Sequence, residues 1–125
     1  MQSFSEIPIT ILDAMDESAI DSLAYGVIGL GRDGLAETYN ATESALAGLP
    51  KSRVIGANFF DNIAQCMNNF MVAQRFEDEA ELDVIIDFVL TLRMRPTPVK
   101  LRLLQSHPIA RHYVLVERNV MAAGA

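Results

Sequence analysis

The chain holds a single cysteine and only two histidines in 125 residues. One thiol cannot build an internal disulfide framework, and two histidines without cysteine partners argue against a zinc site. Long apolar runs are missing as well: none approaches the ~18–20 residues that a membrane span requires. The opening, MQSFSEIPITILDAMDE, lacks the basic region and small-residue cleavage site of a secretory leader. Basic residues are outnumbered, with 10 Lys and Arg against 16 Asp and Glu, which disfavours nucleic acid as a general partner. Hydrophobic residues, by contrast, make up half the chain and charged ones 21%, a balance that excludes a disordered polymer. Area scaling at this length buries about two-thirds of the extended surface without staples. The expectation is one soluble, cytoplasmic domain with its own core and no membrane contact.

Charge is unevenly spread. Residues 1–92 carry 4 basic and 15 acidic groups, whereas residues 93–125 carry 6 basic groups and only Glu117. The basic stretch is expected to form a solvated sheet face opposite Asp83 and Asp87.

Apolar positions in the first segment, at Ile11, Leu12, Met15, Ile20 and Leu23, alternate with acidic clusters and predict one or two short amphipathic helices. Ala24 to Leu30 predicts a strand. Gly31-Arg32-Asp33-Gly34 then predicts a hairpin. The return strand is Leu35 to Tyr39, with Leu35, Glu37 and Tyr39 on one face and Ala36 and Thr38 on the other. Asn40 opens a stretch of small residues suited to short helical turns. Phe70 to Ala80 places Val72, Phe76 and Ala80 on one stripe, a connecting helix. The strongest strand signal runs from Val84 to Met94 and is ended by Pro96 and Pro98. Val99, Leu101 and Leu103, alternating with Lys100 and Arg102, predict another strand, and His112 to Arg118 the last. This order predicts an α+β domain: a five-stranded antiparallel sheet with helices on one face.

Three side chains could carry chemistry. Cys66, as a lone cysteine, reads either as a small buried hydrophobe or as a nucleophile or attachment point. Tyr39 and Glu43, four residues apart, read either as half-exposed groups or as a phenol and a carboxyl converging on one acceptor oxygen. Glu37 is a second acid near Tyr39, so proximity alone does not choose between the two. His107 and His112 read as surface residues, and Met94 as core filler.

Taken together, these segments resemble the photoactive yellow protein family, small blue-light sensors of the PAS fold. The resemblance runs from about Met15 to Arg118. It is carried by Met15-Asp16, Asp21 to Gly26, Tyr39-Asn40-Ala41 with Glu43, Val54-Ile55-Gly56, Asn58-Phe59-Phe60, Cys66 six residues later, and Met94-Arg95-Pro96-Thr97 followed by Val99. It implies a PAS-like core at 23–119, a short N-terminal helical cap at 1–22 and a flexible tail at 120–125. It also implies a p-coumaroyl (4-hydroxycinnamoyl) chromophore in thioester linkage to Cys66. Tyr39 and Glu43 would donate to its phenolate, the Cys66 N–H would hold the thioester carbonyl, and Phe59 and Met94 would join the chromophore site. Glu43 would be the proton donor, and its ionisation after light-driven trans–cis isomerisation would loosen the cap towards a downstream signalling protein. The chain is expected as a monomer or weak homodimer.

Departures from the family pattern surround the trio. Ala47 and Leu49 stand where the family commonly has threonine and arginine, Gln65 and Met67 flank the cysteine in place of proline and threonine, and Phe88, Leu90 and Leu92 replace aromatic residues. These changes imply a shifted absorption maximum and altered recovery. Two other readings of the same pocket are an enzyme handling unsaturated acyl thioesters, with Cys66 as nucleophile or isomerisation catalyst, and a cofactor-free PAS interaction module.

Overall fold

The computed structural model describes residues 2–91 and 95–118. The chain opens with two short helices, α1 (Ile9–Ala14) and α2 (Glu17–Asp21), the second capped by Asp16, whose side chain accepts from the Ala19 N–H at 2.8 Å. Strands β1 (Gly26–Leu30) and β2 (Ala36–Tyr39) follow, joined by a turn in which Gly34 takes a φ of +84° and donates to the Gly31 carbonyl. Helices α3 (Ala41–Ala47) and α4 (Lys51–Val54), a π-helical turn at Phe59–Ile63, a 3₁₀ turn at Gln65–Met67 and α5 (Ala73–Asp78) lead to β3 (Leu82–Leu90), β4 (Thr97–Gln105) and β5 (His112–Arg118). The sheet has the order β2-β1-β5-β4-β3 and every pairing is antiparallel, as expected.

Most elements sit where the sequence places them, and β3 keeps the predicted alternation: Val84, Ile86, Phe88 and Leu90 turn inward while Asp83, Ile85, Asp87 and Val89 are exposed. The strand stops earlier than the alternation predicts: it ends at Leu90, the exposed Thr91 already lies past it, and 92–94, up to the predicted end at Met94, fall outside the described residues. The connecting helix is shorter than its apolar stripe suggests. Phe70 lies before it, 78% exposed, and Ala80 beyond it.

The return strand departs from simple alternation. Its register with β1 slips between Gly29 and Leu30, so that Leu30 pairs with Ala36 and Gly29 with Thr38. This bulge inserts Glu37 as the extra residue. Ala36 and Tyr39 therefore both face the core, while Leu35 and Glu37 are exposed.

Two cores lie on opposite faces of the sheet. One, beneath α3 to α5, joins Ile28, Tyr39, Phe59, Met67, Phe76, Leu101 and Val114. The other lies under the N-terminal segment, where Phe4, Ile7, Leu12 and Ile20 cover Leu104, Tyr113 and Leu115. The basic strand face is thus only partly solvated. Lys100 pairs with Asp87 across the sheet in the open, as expected, but Arg102 is 5% exposed. Its guanidinium is bidentate to Asp83 and also donates to the Phe4 and Ile7 carbonyls at 3.0 and 2.8 Å. The N-terminal segment brings uncapped carbonyls to that face, and a guanidinium satisfies them.

His112 also departs from the expected surface position. It is half-buried, with its ring centroid 4.3 Å from that of Phe76, rather than on the surface. Burial pulls its imidazole down to about 4. The unfolded chain protonates this group near 6.5, so from pH 6.5 down to 4 the unfolded state binds more protons and stability falls as pH falls. The partial burial makes that loss about 2–3 kcal/mol. Denaturant unfolding from pH 7 to 4 should show a shallower decline in His112→Phe; an identical decline would remove His112 from the account.

Candidate functional site

Glu43 lies in the first turn of α3, where it is 3% exposed. Asn40 sets its position. The Asn40 side-chain oxygen accepts from the Glu43 and Val27 N–H groups at 3.0 and 2.9 Å, and its amide donates to the Ile20 and Tyr25 carbonyls at 2.9 and 3.0 Å. One buried amide thereby ties α2, β1 and α3 together with every partner filled. Gly26 of β1 backs the carboxyl: a Cβ there would stand 2.1 Å from Glu43 Oε1, so only glycine leaves the acid its place.

Arg118, the last residue of β5, closes the arrangement. Its Nη1 donates to Glu43 Oε1 at 2.8 Å and its Nη2 to Oε2 at 3.2 Å, and its side chain is only 11% exposed. This is the bidentate geometry of a carboxylate–guanidinium pair. Burial pushes the Glu43 carboxyl above its ordinary range, and Arg118 holds it back.

Tyr39 ends β2, 3% exposed, and its Oη is buried without a hydrogen-bond partner among the described residues. An unsatisfied buried hydroxyl costs about 1–3 kcal/mol, so an orphan of this kind marks a place where an acceptor fits. Burial pushes the phenol well up, the nearby Glu43 adds to that, and Arg118 opposes it. Tyr39 is thus a donor that stays protonated. The two acids near it are resolved by the bulge: Glu37 turns outward to Arg111 at 2.7 Å, and Glu43 is the one inside.

Phe59 is buried at the start of the π-helical turn, in the same core cluster as Tyr39 and Met67. Cys66 packs against this cluster from the 3₁₀ turn and is partly exposed. It borders a largely apolar cleft of about 640 Å³, shared with Met71, Phe88 and Val99. Tyr39 and Glu43 do not line this cleft: Tyr39 borders a separate cavity of about 360 Å³ with Ile20 and Lys51, and Glu43 stands between Gly26 of β1 and Arg118 of β5. Met94 lies outside the described residues. His107 is exposed in a turn, as expected.

The sequence reading missed Arg118, Gly26 and the buried role of Arg102. Arg118 stands 75 residues from Glu43, and no local pattern links them. Leu49, where the family resemblance implies arginine, packs on the core cluster instead. Among the described residues no group of three or more His, Cys, Asp or Glu could hold a metal ion, and no helix is long and apolar enough to cross a membrane.

No protein-family model matches the chain. It is 33% identical over 107 residues to photoactive yellow protein from Rhodothalassium salexigens, covering 83% of this chain and 86% of that one. It is 30% identical over 97 residues to photoactive yellow protein from Rhodobacter capsulatus, covering 72% and 75%. Among solved structures, the photoactive yellow protein domain of the sensor histidine kinase Ppr from Rhodospirillum centenum superposes with a TM-score of 0.79 at 34% identity, over 87% of this chain and 98% of that one. A PAS domain of an HTR-like protein from Haloarcula marismortui superposes with a TM-score of 0.63 at 15% identity, a likeness of fold alone. The five-stranded sheet with its helices is the PAS fold, and the chain belongs to the photoactive yellow protein family.

Proposed function

We propose that the chain is a photoreceptor that carries a 4-hydroxycinnamoyl group as a thioester on Cys66. The observation that carries this reading is the buried, unpartnered Tyr39 hydroxyl, in one apolar cluster with Phe59 and packed against by Cys66. A phenol kept protonated by burial is a donor suited to a second phenolic oxygen. Bound there, the group would supply a conjugated double bond that light can isomerise.

The residues divide the work. Cys66 Sγ gives its proton to solvent, bonds the acyl carbon of an activated donor and expels the donor's leaving group with its electron pair. Tyr39 Oη donates toward the phenolic end. Phe59 and, by family resemblance, Met94 exclude water around the ring. Glu43 is the titratable acid, holding or releasing a proton at its carboxylate under the control of Arg118. Charge rearranged at this buried position costs several kcal/mol, which is comparable with the stability of a small domain. The N-terminal segment, residues 1–22, is the element the fold can release in answer, exposing the sheet surface beneath Phe4, Ile7 and Leu12 to a downstream signalling protein.

Purified protein incubated in darkness with the anhydride of 4-hydroxycinnamic acid should gain the mass of one acyl group and an absorption band that light bleaches. Cys66→Ala should gain neither. Equal colour in Cys66→Ala would defeat the proposal, and continuous thioester turnover in darkness would replace it with the acyl-handling enzyme.

A further inference from the structure

The two edges of the sheet are finished differently. At one, β2 is four residues long and bulged at Glu37, both devices that discourage a further strand. At the other, β3 runs for nine residues, Leu82–Leu90, paired to β4 in an unbroken register, and beyond it no further strand pairs among the described residues. It contains no proline, lysine or arginine. Ile85 and Val89 stand on its outer face, 44% and 50% exposed. Its two charges, Asp83 and Asp87, are held from β4 by Arg102 at 2.9 Å and Lys100 at 2.6 Å, so the usual electrostatic guard of an edge is neutralised. We propose that β3 is a homodimerisation edge: two copies of the chain join their sheets by antiparallel β3–β3 pairing about a two-fold axis at Ile86.

The occupant follows from the strand's own order of side chains. A two-fold axis normal to the sheet keeps inward residues opposite inward ones and outward residues opposite outward ones. Centred on Ile86, the midpoint of Leu82–Leu90, it pairs all nine residues. On the inner face Leu82 meets Leu90, Val84 meets Phe88, and Ile86 meets its own copy. On the outer face Asp83 meets Val89 and Ile85 meets Asp87, so no acid faces an acid. Moving the axis to Ile85 sets Asp83 against Asp87, and moving it to Asp87 sets that residue against its copy. Both shifts shorten the overlap, and like charges directly opposite destabilise a pair. The strand is thus complementary to itself in its longest register. That register also covers Val84 and Ile86, which a lone β3 leaves partly open on the inner face. Phe88 and Val89 border the Cys66 cleft as well, so the second copy becomes part of its wall. A single strand pair covers less than the ~1,200 Å² of a stable interface, which makes the dimer weak and concentration-dependent.

Sedimentation velocity of the full chain from about 10 µM to about 1 mM should show reversible exchange between monomer and dimer. Val89→Lys places a cation opposite Asp83 twice across the axis and should tighten association about threefold to tenfold, and Val89→Asp should weaken it by a similar factor. The same exchanges at Ile55, 45% exposed beside β2, alter the net charge equally. At about 0.15 M salt they should move the association constant less than about twofold. Crosslinking reads the register directly. In a Cys66→Ala background, Ile86→Cys should oxidise to a disulfide-linked dimer, whereas Val84→Cys, whose copy lies about 13 Å away along the strand, should not. A chain that stays monomeric throughout would overturn the proposal and leave the edge to a strand from another protein. A dimer indifferent to the charge at Val89, or one that crosslinks equally from both positions, would overturn it too.

Discussion

Replacing Gly26 with alanine is expected to lower the stability of the fold by about 2–4 kcal/mol. The added Cβ would fall 2.1 Å from Glu43 Oε1 and 3.0 Å from its carboxyl carbon, so the acid must leave its seat. Breaking one side of a buried ion pair costs about 3–5 kcal/mol, because the partner charge stays behind without compensation. Alanine returns about 0.5–1 kcal/mol over glycine in a strand, which does not offset the loss. Gly31→Ala provides the contrast. Its Cβ would meet Glu37 Oε2 at 2.5 Å and Asp33 Oδ1 at 2.9 Å, but both belong to exposed side chains that can swing away. That variant should lose less than about 1 kcal/mol. Urea unfolding of both variants, together with Gly26→Ala/Glu43→Ala, would test the mechanism: the double variant should show a coupling of about 2 kcal/mol. A Gly26→Ala protein of wild-type stability would show that Glu43 has another equally good place.

Arg102→Leu is the second large effect, and it should appear mainly in the N-terminal segment. The guanidinium joins three partners that are distant in sequence: the Phe4 carbonyl, the Ile7 carbonyl and Asp83. Leucine fills similar space but leaves two buried carbonyls unsatisfied, at about 1–3 kcal/mol each. Part of this is recovered by the segment lifting away, so the expected loss is about 2–4 kcal/mol globally, with amide exchange in residues 4–14 faster by tenfold or more. Lys100→Met, two residues away on the same strand, removes a half-exposed pair with Asp87 and should cost less than about 0.5 kcal/mol. Unchanged exchange in Arg102→Leu would mean that the segment is held by its apolar contacts alone, through Phe4, Ile7 and Leu12.

The strands were legible because each carries its own periodicity. The inward residues Val84, Ile86, Phe88 and Leu90 could be read off β3 directly, and His112–Arg118 has the predicted limits. What escaped depends on contacts that periodicity does not encode. The bulge at Glu37 breaks alternation by one residue and leaves no compositional mark in so short a strand. Arg102 looks like any outward residue of an alternating strand until the N-terminal segment is laid over it. His112 begins a strand and looks terminal, yet Phe76 from α5 covers it. Of the site, Tyr39, Glu43 and Cys66 were recognisable through family resemblance, because their mutual spacing is preserved. Glu43 pairs with Arg118, whose partner could not be read from a position 75 residues away.

The sheet also acts as a shared wall with furniture fixed to both sides. Along β5, Val114 and Val116 point into one chamber while Tyr113 and Leu115 point into the other, and Leu103 and Leu104 of β4 divide in the same way. A strand so committed cannot slide or tilt for the benefit of one room alone. Whatever tugs at its Arg118 end must rearrange Tyr113 beneath the opening helices, whose Asp13 grips that ring's hydroxyl at 2.7 Å.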